Sequence, residues 1–464
     1  MRRVFTRAAR RALALLVLAL GVALPLTVVV ATPTASAGTV TIPAGDNTTV
    51  AETVATSPAG TTFILASGTH TNFSVVPKAR DGFTSQPGTV LDGGGTVPVA
   101  FTVDTHFANE GGVTISGASS DDPLVIENYD QYDCGCSDPY TLGVVNPRCN
   151  CTSHSGSATN WSLTDVEITD SATLGLEIAD GMAVNDGTID GNGTAGLGGS
   201  DNLDTLGKGV LIENSDISSN GPPPGDLCPQ ATACAGIHLA GSEVKNVSLV
   251  NDTVDGNNGV GVWFDTVPGP NYVESDQIDT NAASAVRDEA SGPLVVSNNV
   301  MDGDAANEGA EGAGIVCASC NGLTASTNTI TDIQGAYGIL ILQDNREYQG
   351  DVVRNIAISG NTVAAAPGTT LMNGVSQCTS THFEPTMDPS SSPCSGAVFA
   401  QSTITFTDDT YVCSTFLYGS PLPLPVSPPP PGEPYPGGGT PETLSFAAWQ
   451  AAGFDVGGSA TSDC

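Results

Sequence analysis

The chain has 464 residues, with 49 Asp and Glu against 13 Lys and Arg, a formal charge of −36 at neutral pH. A field of that sign repels nucleic acid and anionic membrane surfaces, so neither is expected as a partner. The 12 cysteines set a second bound, because so many thiols point to an oxidising compartment.

Residues 1–37 read as an export leader. Arg2, Arg3, Arg7, Arg10 and Arg11 precede an apolar run from Ala12 to Ala31, and Ala35-Ser36-Ala37 supplies the small residues of a cleavage site. The run approaches the length of a spanning helix, but Gly21, Pro25 and the small-residue exit favour cleavage after Ala37. The chain beyond Ala37 keeps 8 of the 13 basic residues and all 49 acidic ones, a charge of −41. The expected product is secreted, extracellular and free of the membrane once the leader is removed.

A short helix is predicted near Ala44 to Thr56, ahead of a strand from Thr61 to Leu65, where it would cover one end of the domain. From Trp161 onward the chain repeats a pattern: alternating apolar and polar residues, Asn or Asp, an apolar residue, a polar turn, then Gly-apolar-any-apolar. The recurring apolar position falls at Ile168, Ile189, Ile217, Val254, Ile278, Met301, Ile330 and Val363. The spacing is near a solenoid coil where shortest and grows where insertions fall. Period-two runs rich in Val, Ile and Thr, with no helical stretch between them, must stack each strand on its copy in the next coil. The predicted fold is therefore all-β, a single right-handed parallel β-helix over residues 38–419. Residues 420–464 form a separate closing region. Ser420 to Pro441 is a Pro/Gly-rich connector, and Leu444 to Phe454 carries an apolar face with Trp449 that docks back, held by a Cys413–Cys464 bridge.

The cysteines cluster locally: Cys134, Cys136, Cys149 and Cys151; Cys228 and Cys234; Cys317 and Cys320; Cys378 and Cys394; Cys413 and Cys464. Each group would staple one loop. A zinc site from the first group would need wider gaps than Cys-x-Cys offers. Asn192, Asn220, Asn257, Asn281 and Asp304 share one offset in the turn and are expected to stack as a column of turn amides. Asp190-Gly-Asn-Gly193 is part of that column, since the remaining ligands of a calcium loop are absent.

Three segments resemble the right-handed parallel β-helix repeat proteins of bacterial exteriors, which share their fold with pectate-lyase-like enzymes. Residues 58–70, Val76-Pro-Lys78 and residues 87–94 are similar to that family's entry segment, Gly259-Val-Gly-Val-Trp-Phe-Asp265 to a central coil, and Trp449-Gln-Ala-Ala-Gly-Phe-Asp455 to its closing segment. The resemblance implies the fold over most of the chain and leaves the reaction open. Where the family carries an aromatic-Tyr-Glu coil this chain has Arg287-Asp288-Glu289, so only Glu289 carries over. A polygalacturonase-like reading lacks its Gly-His-Gly and Arg-Ile-Lys elements.

In the Gly-apolar-any-apolar strand the middle residue points outward. Read coil by coil it gives Glu177, Gly198, His238, Trp263, Arg287, Val316 and Leu340, and two residues later Asp265 and Glu289 fall on adjacent coils. Trp263 is the candidate sugar platform, with its N–H paired. Asp265, Arg287, Glu289, His238 and Glu177 are candidate catalytic groups, a carboxylate pair at glycosidase spacing or a lyase base beside a guanidinium. An exposed salt-bridge ladder of Asp265, Arg287 and Glu289 is the plain alternative. His70, His106, His154 and His382 read as surface or loop residues, Asp121-Asp122 and Asp408-Asp409 as solvated pairs, and Lys78 as positional. Insertions at 193–208, 221–234, 304–311 and 345–351 would wall the groove. The expected partner is an extracellular polysaccharide, bound by a monomer that, if it is an enzyme, is a lyase or glycoside hydrolase; no cofactor is certain, calcium is the possible one, and no resident metal is assigned. The alternative is a non-catalytic carbohydrate-binding or surface-adhesive protein.

Overall fold

The computed structural model describes residues 37–102, 111–130, 143–146, 159–199, 209–222, 234–241, 245–304, 312–335, 337–343, 353–377, 404–418 and 442–461. Each full coil contributes three short strands, as in Val247–Val250, Thr253–Asp255 and Val260–Asp265, and the next coil repeats them as Asn271–Glu274, Gln277–Asp279 and Val286–Glu289. All but one of the described strands, Glu442–Leu444, pair in parallel with their counterparts one coil away. Among the described residues this builds a first sheet of 13 strands, a second of 14 and a third of 12.

The recurring apolar column is in register: Ile168, Ile189, Ile217, Val254, Ile278, Met301, Ile330 and Val363 are successive partners, each buried. Burying each such side chain contributes roughly 1.5–3 kcal/mol. The column continues towards the N-terminus through Ile126 and Leu91 to His70. His70 is thus an inward residue and fully buried, not a surface histidine. Its Nδ1 lies 2.9 Å from Asn47 Oδ1 and its Nε2 2.8 Å from the Ala66 carbonyl, so a polar ring is accommodated at an isoleucine position by two hydrogen bonds.

The predicted asparagine column is a continuous hydrogen-bonded ladder at the turn between the second and third sheets. The Nδ2 of Asn192, Asn220, Asn257 and Asn281 donates to the side-chain oxygen one coil on, at 2.9, 3.0, 2.9 and 3.0 Å, ending on Asp304. The same oxygens accept the backbone N–H of the preceding rung. These amides explain the glycine near the start of several third-sheet strands. A Cβ on Gly196, Gly236 or Gly261 would fall 2.8, 2.7 or 2.9 Å from a ladder Nδ2.

A second ladder occupies the turn between the first and second sheets. Backbone N–H groups donate to the next rung's side chain from Ser215 to Asp252, then to Asp276, Asn299, Asn328, Asn361, Asp409 and Asp455. The residue just before each rung takes a left-handed conformation, as at Asn214, Asn251, Ser275, Asn298, Thr327 and Asp408. Asp409 is therefore a buried rung and only Asp408 is solvated, which corrects the reading of both as an exposed pair.

Both described ends are covered. The helix α1, Val50–Thr56, is shorter than predicted because Thr39–Ile42 and Gly45–Asp46 enter the sheets as strands. Lys78 Nζ donates to the carbonyls of Ala55 and Ser57 at its C-terminal end, a positional role. At the other end Glu442–Leu444 pairs antiparallel with Ser414–Tyr418, and the helix α2, Phe446–Ala451, buries Trp449 against Phe454, Phe406 and Phe416 at ring distances of 4.2, 5.3 and 5.6 Å. The third sheet thus ends, among the described residues, on the antiparallel strand Glu442–Leu444.

Cys317 and Cys320 form a disulfide, and Cys234 and Cys413 are disulfide-bonded as well. The expected partners of Cys234 and Cys413, and the groups at 134–151 and 378–394, lie outside the described residues, as do the leader, the connector and His106, His154 and His382. Among the described residues no helix is long and apolar enough to cross a membrane.

The ladder generates a prediction. Asn257→Ala removes two donated bonds and strips the acceptor from two groups of Asn220, all buried. It is expected to lower the free energy of unfolding by about 2–4 kcal/mol. Asn185→Ala, whose amide bonds are exposed, should cost less than about 1 kcal/mol in the same urea titration.

Candidate functional site

The predicted outward column forms in register on the third sheet. Gly198 pairs with Glu177 and His238, His238 with Trp263, Trp263 with Arg287, and Arg287 with Val316; beside them Asp265 pairs with Glu289. Strand alternation alone brings these residues together, since Val262, Phe264 and Val286 between them face the core.

The centre of the cluster is a stack. The His238 ring lies 4.7 Å from that of Trp263, inclined at 40°, and the Arg287 guanidinium carbon lies 5.4 Å from the Trp263 ring centroid on the neighbouring strand. Arg287 Nε donates to Glu289 Oε2 at 3.1 Å, so one cation is shared between a carboxylate and an aromatic face. Burial drives the His238 imidazole down to about 4, against the opposing pull of the Glu289 charge, and the ring is neutral at ordinary pH. Trp263 Nε1 is buried without an acceptor, where the sequence suggested a paired N–H.

The face is far less open than the sequence implied. Glu177 and Glu289 are fully buried and His238 keeps 8% of its surface, while Trp263, Asp265 and Arg287 are half-buried. An exposed salt-bridge ladder is therefore not what forms. Further along the sheet the outward positions are apolar, and Ala313, Val316, Ala318, Leu340 and Leu342 make a second hydrophobic cluster with Tyr337 and Met372. Glu177 stands apart from the stack, because Gly198 occupies the coil between it and His238, a separation of about 10 Å along the column.

Chain order adds a constraint. Every internal segment outside the described residues adjoins a strand of the third sheet, including the insertions predicted to wall the groove. One group escaped the sequence reading. Asp288 points inward between Phe264 and Cys317, and burial holds its carboxyl well above the usual range. The alternation that places Val286 inside was the available signal. Among the described residues no three His, Cys, Asp or Glu side chains gather so as to hold a metal ion.

Two outcomes are expected of this cluster. Glu289→Ala leaves the Arg287 charge in a mostly buried place without its carboxylate, and unfolding should become about 3 kcal/mol easier, with Arg287→Met/Glu289→Leu recovering most of that in urea titrations. Folding lowers the proton affinity of His238, so its contribution is intact above the ordinary histidine value and is lost as pH falls from there through about 4. His238→Gln should flatten the acid limb of the stability–pH curve; an unchanged slope would remove the assignment.

The description "right handed beta helix region" matches residues 148–363 of the chain. Among solved structures, the A-module of mannuronan C-5 epimerase AlgE4 from Azotobacter vinelandii is similar at 13% identity and a TM-score of 0.47, over 71% of this chain and 84% of that one. The A-module of AlgE6 from the same organism shares 13% identity with a TM-score of 0.47, over 79% and 87%. A mannuronic acid specific family 6 polysaccharide lyase from human gut microbiota shares 12% with a TM-score of 0.46, over 81% and 80%. No curated protein matches the chain in sequence. The coil-on-coil register and the matched region together identify the chain as a right-handed parallel β-helix protein.

Proposed function

We propose that this chain is an exported polysaccharide-binding protein whose third-sheet face holds a glycan against Trp263. The observation that carries the reading is the stack itself: a partly exposed indole on an outward strand position, fixed between the His238 ring and the Arg287 guanidinium. The open edge of a rigid aromatic ring braced on its faces by polar groups gives a sugar ring apolar surface to pack against and partners for its hydroxyls. The leader-like N-terminus supports export, and the net charge favours a neutral glycan or an acidic one bridged by calcium.

A hydrolytic role for Asp265 and Glu289 gains little from the geometry, because Glu289 is buried and committed to Arg287 as its counter-ion. A second reading has a specific observation behind it. A neutral imidazole one ring away from the indole that Arg287 covers sets a proton acceptor near a guanidinium able to neutralise a uronate carboxylate, the two groups an elimination reaction needs.

One assay separates these readings. The mature protein is run through gels containing neutral and acidic glycans, with and without calcium, while new reducing ends and unsaturated-uronate absorbance are followed. Retardation without turnover, weakened at least about tenfold by Trp263→Ala, is the expected result. Uronate absorbance lost in both His238→Gln and Arg287→Ala would establish the lyase reading instead. Retardation unaffected by Trp263→Ala would place binding elsewhere.

A further inference from the structure

Each ladder has a rung where aspartate takes an asparagine's place in the same geometry. Asp304 Oδ1 accepts the Asn281 backbone N–H at 2.8 Å and the Asn281 Nδ2 at 3.0 Å; Asp409 Oδ1 accepts the corresponding groups of Asn361 at 2.7 and 2.9 Å. Both residues are fully buried, and among the described residues the second oxygen, Oδ2, of each is buried without a close hydrogen-bond partner, with the Tyr411 hydroxyl near that of Asp409. At asparagine rungs that second position is the NH2, which also donates to a strand carbonyl of the preceding coil: Asn281 to Val254 and Asn361 to Ala325, at 2.9 and 3.1 Å. One coil on, the equivalent carbonyls belong to Ile278 and Ile358. An ionised Oδ2 there would set negative charge against a carbonyl oxygen, whereas a protonated one supplies the missing donor.

We propose that Asp304 and Asp409 are carboxylic acids in the native coil, proton-dependent stand-ins for asparagine that make cohesion between coils weaken as pH rises. The surroundings agree. Asp304 faces Asn281 with Asp279 and Asp302 nearby, Asp409 faces Asn361, Tyr411 and Asp455, and among the described residues no lysine, arginine or histidine acts on either carboxyl. Burial, reinforced by those neighbouring acids, pushes Asp304 up to about 8 and Asp409 to about 7, against hydrogen bonds from the two asparagines and, at Asp409, from the Tyr411 hydroxyl. Asp252 differs in geometry, because its two oxygens accept the N–H groups of Ser215 and Val250, although burial raises its carboxyl as well.

The sign of the effect follows from folding having raised the proton affinity. The contribution of each group is fully present below the ordinary aspartate value and is lost as pH rises through about 7 to 8. The test compares urea midpoints of the full chain at about pH 6 and about pH 9.5, where ordinary carboxyls stay ionised. The wild-type midpoint should fall across that interval. D304N/D409N, which installs the amide permanently, should match wild type at the lower pH and stand above it at the higher one. An equal fall in the variant overturns the proposal. Infrared spectroscopy of the wild-type protein gives a readout that does not depend on the variant folding. The protonated-carboxyl C=O band should lose intensity on titration from about pH 6 to about pH 9.5, the part that stays belonging to the buried Asp288; a band of unchanged intensity would equally overturn the proposal.

Discussion

A buried backbone N–H at a turn has to be met by an acceptor or its desolvation goes uncompensated, and in a stack of coils the next coil is the nearest source of one. The two ladders meet that demand at two of the three corners, with Asn257 Oδ1 serving Asn220 at one and Asn328 Oδ1 serving Asn299 at the other. Much else in the molecule depends on keeping those rungs one above another. Glycine stands near the start of several third-sheet strands because a Cβ would press on the ladder amide, and Ser275 and Thr327 accept left-handed backbone so that the next residue can turn its oxygen inward. The isoleucine column inside the coil is in turn kept in line by the same spacing.

The fold was largely legible from the residues because its signal is repetition. The eight aligned apolar positions from Ile168 to Val363 are partners in the sheets, and the column from Asn192 to Asp304 forms as read. The second ladder was hidden because its rungs change chemistry, from Ser215 through Asp252 and Asp276 to Asn299. A hydroxyl, a carboxyl and an amide can each present the one acceptor the geometry asks for, yet they share no letter in the sequence. His70 was misplaced for a related reason. It sits in line with Leu91 and Ile126, but its polarity masked the period until the coil beneath it supplied Asn47.

The candidate site divides in the same way between position and environment. Register is a property of the repeat, so His238, Trp263 and Arg287 could be brought side by side from spacing alone. Solvent exposure is not, because alternation says which side of a strand a residue faces and nothing about what lies over it. Glu289 illustrates the difference: it stands where expected beside Asp265, and its burial turns an imagined surface acid into the fixed counter-ion of Arg287. The outward valine and leucine positions at Val316 and Leu340 were already a hint that this side of the coil is apolar for part of its length.

The connection between first and second sheets keeps two residues in coil after coil, from Asn185 and Thr188 to Thr407 and Thr410, while the extra chain length falls beside third-sheet strands. A corner locked by rungs cannot lengthen without breaking the stack, whereas no rung fixes the number of residues between Asn220 or Asp304 and the third-sheet strand that follows. Changes in chain length are thereby steered to the connections beside the third-sheet strands. New recognition elements can be acquired, exchanged or lost there while the spine that carries them is inherited intact.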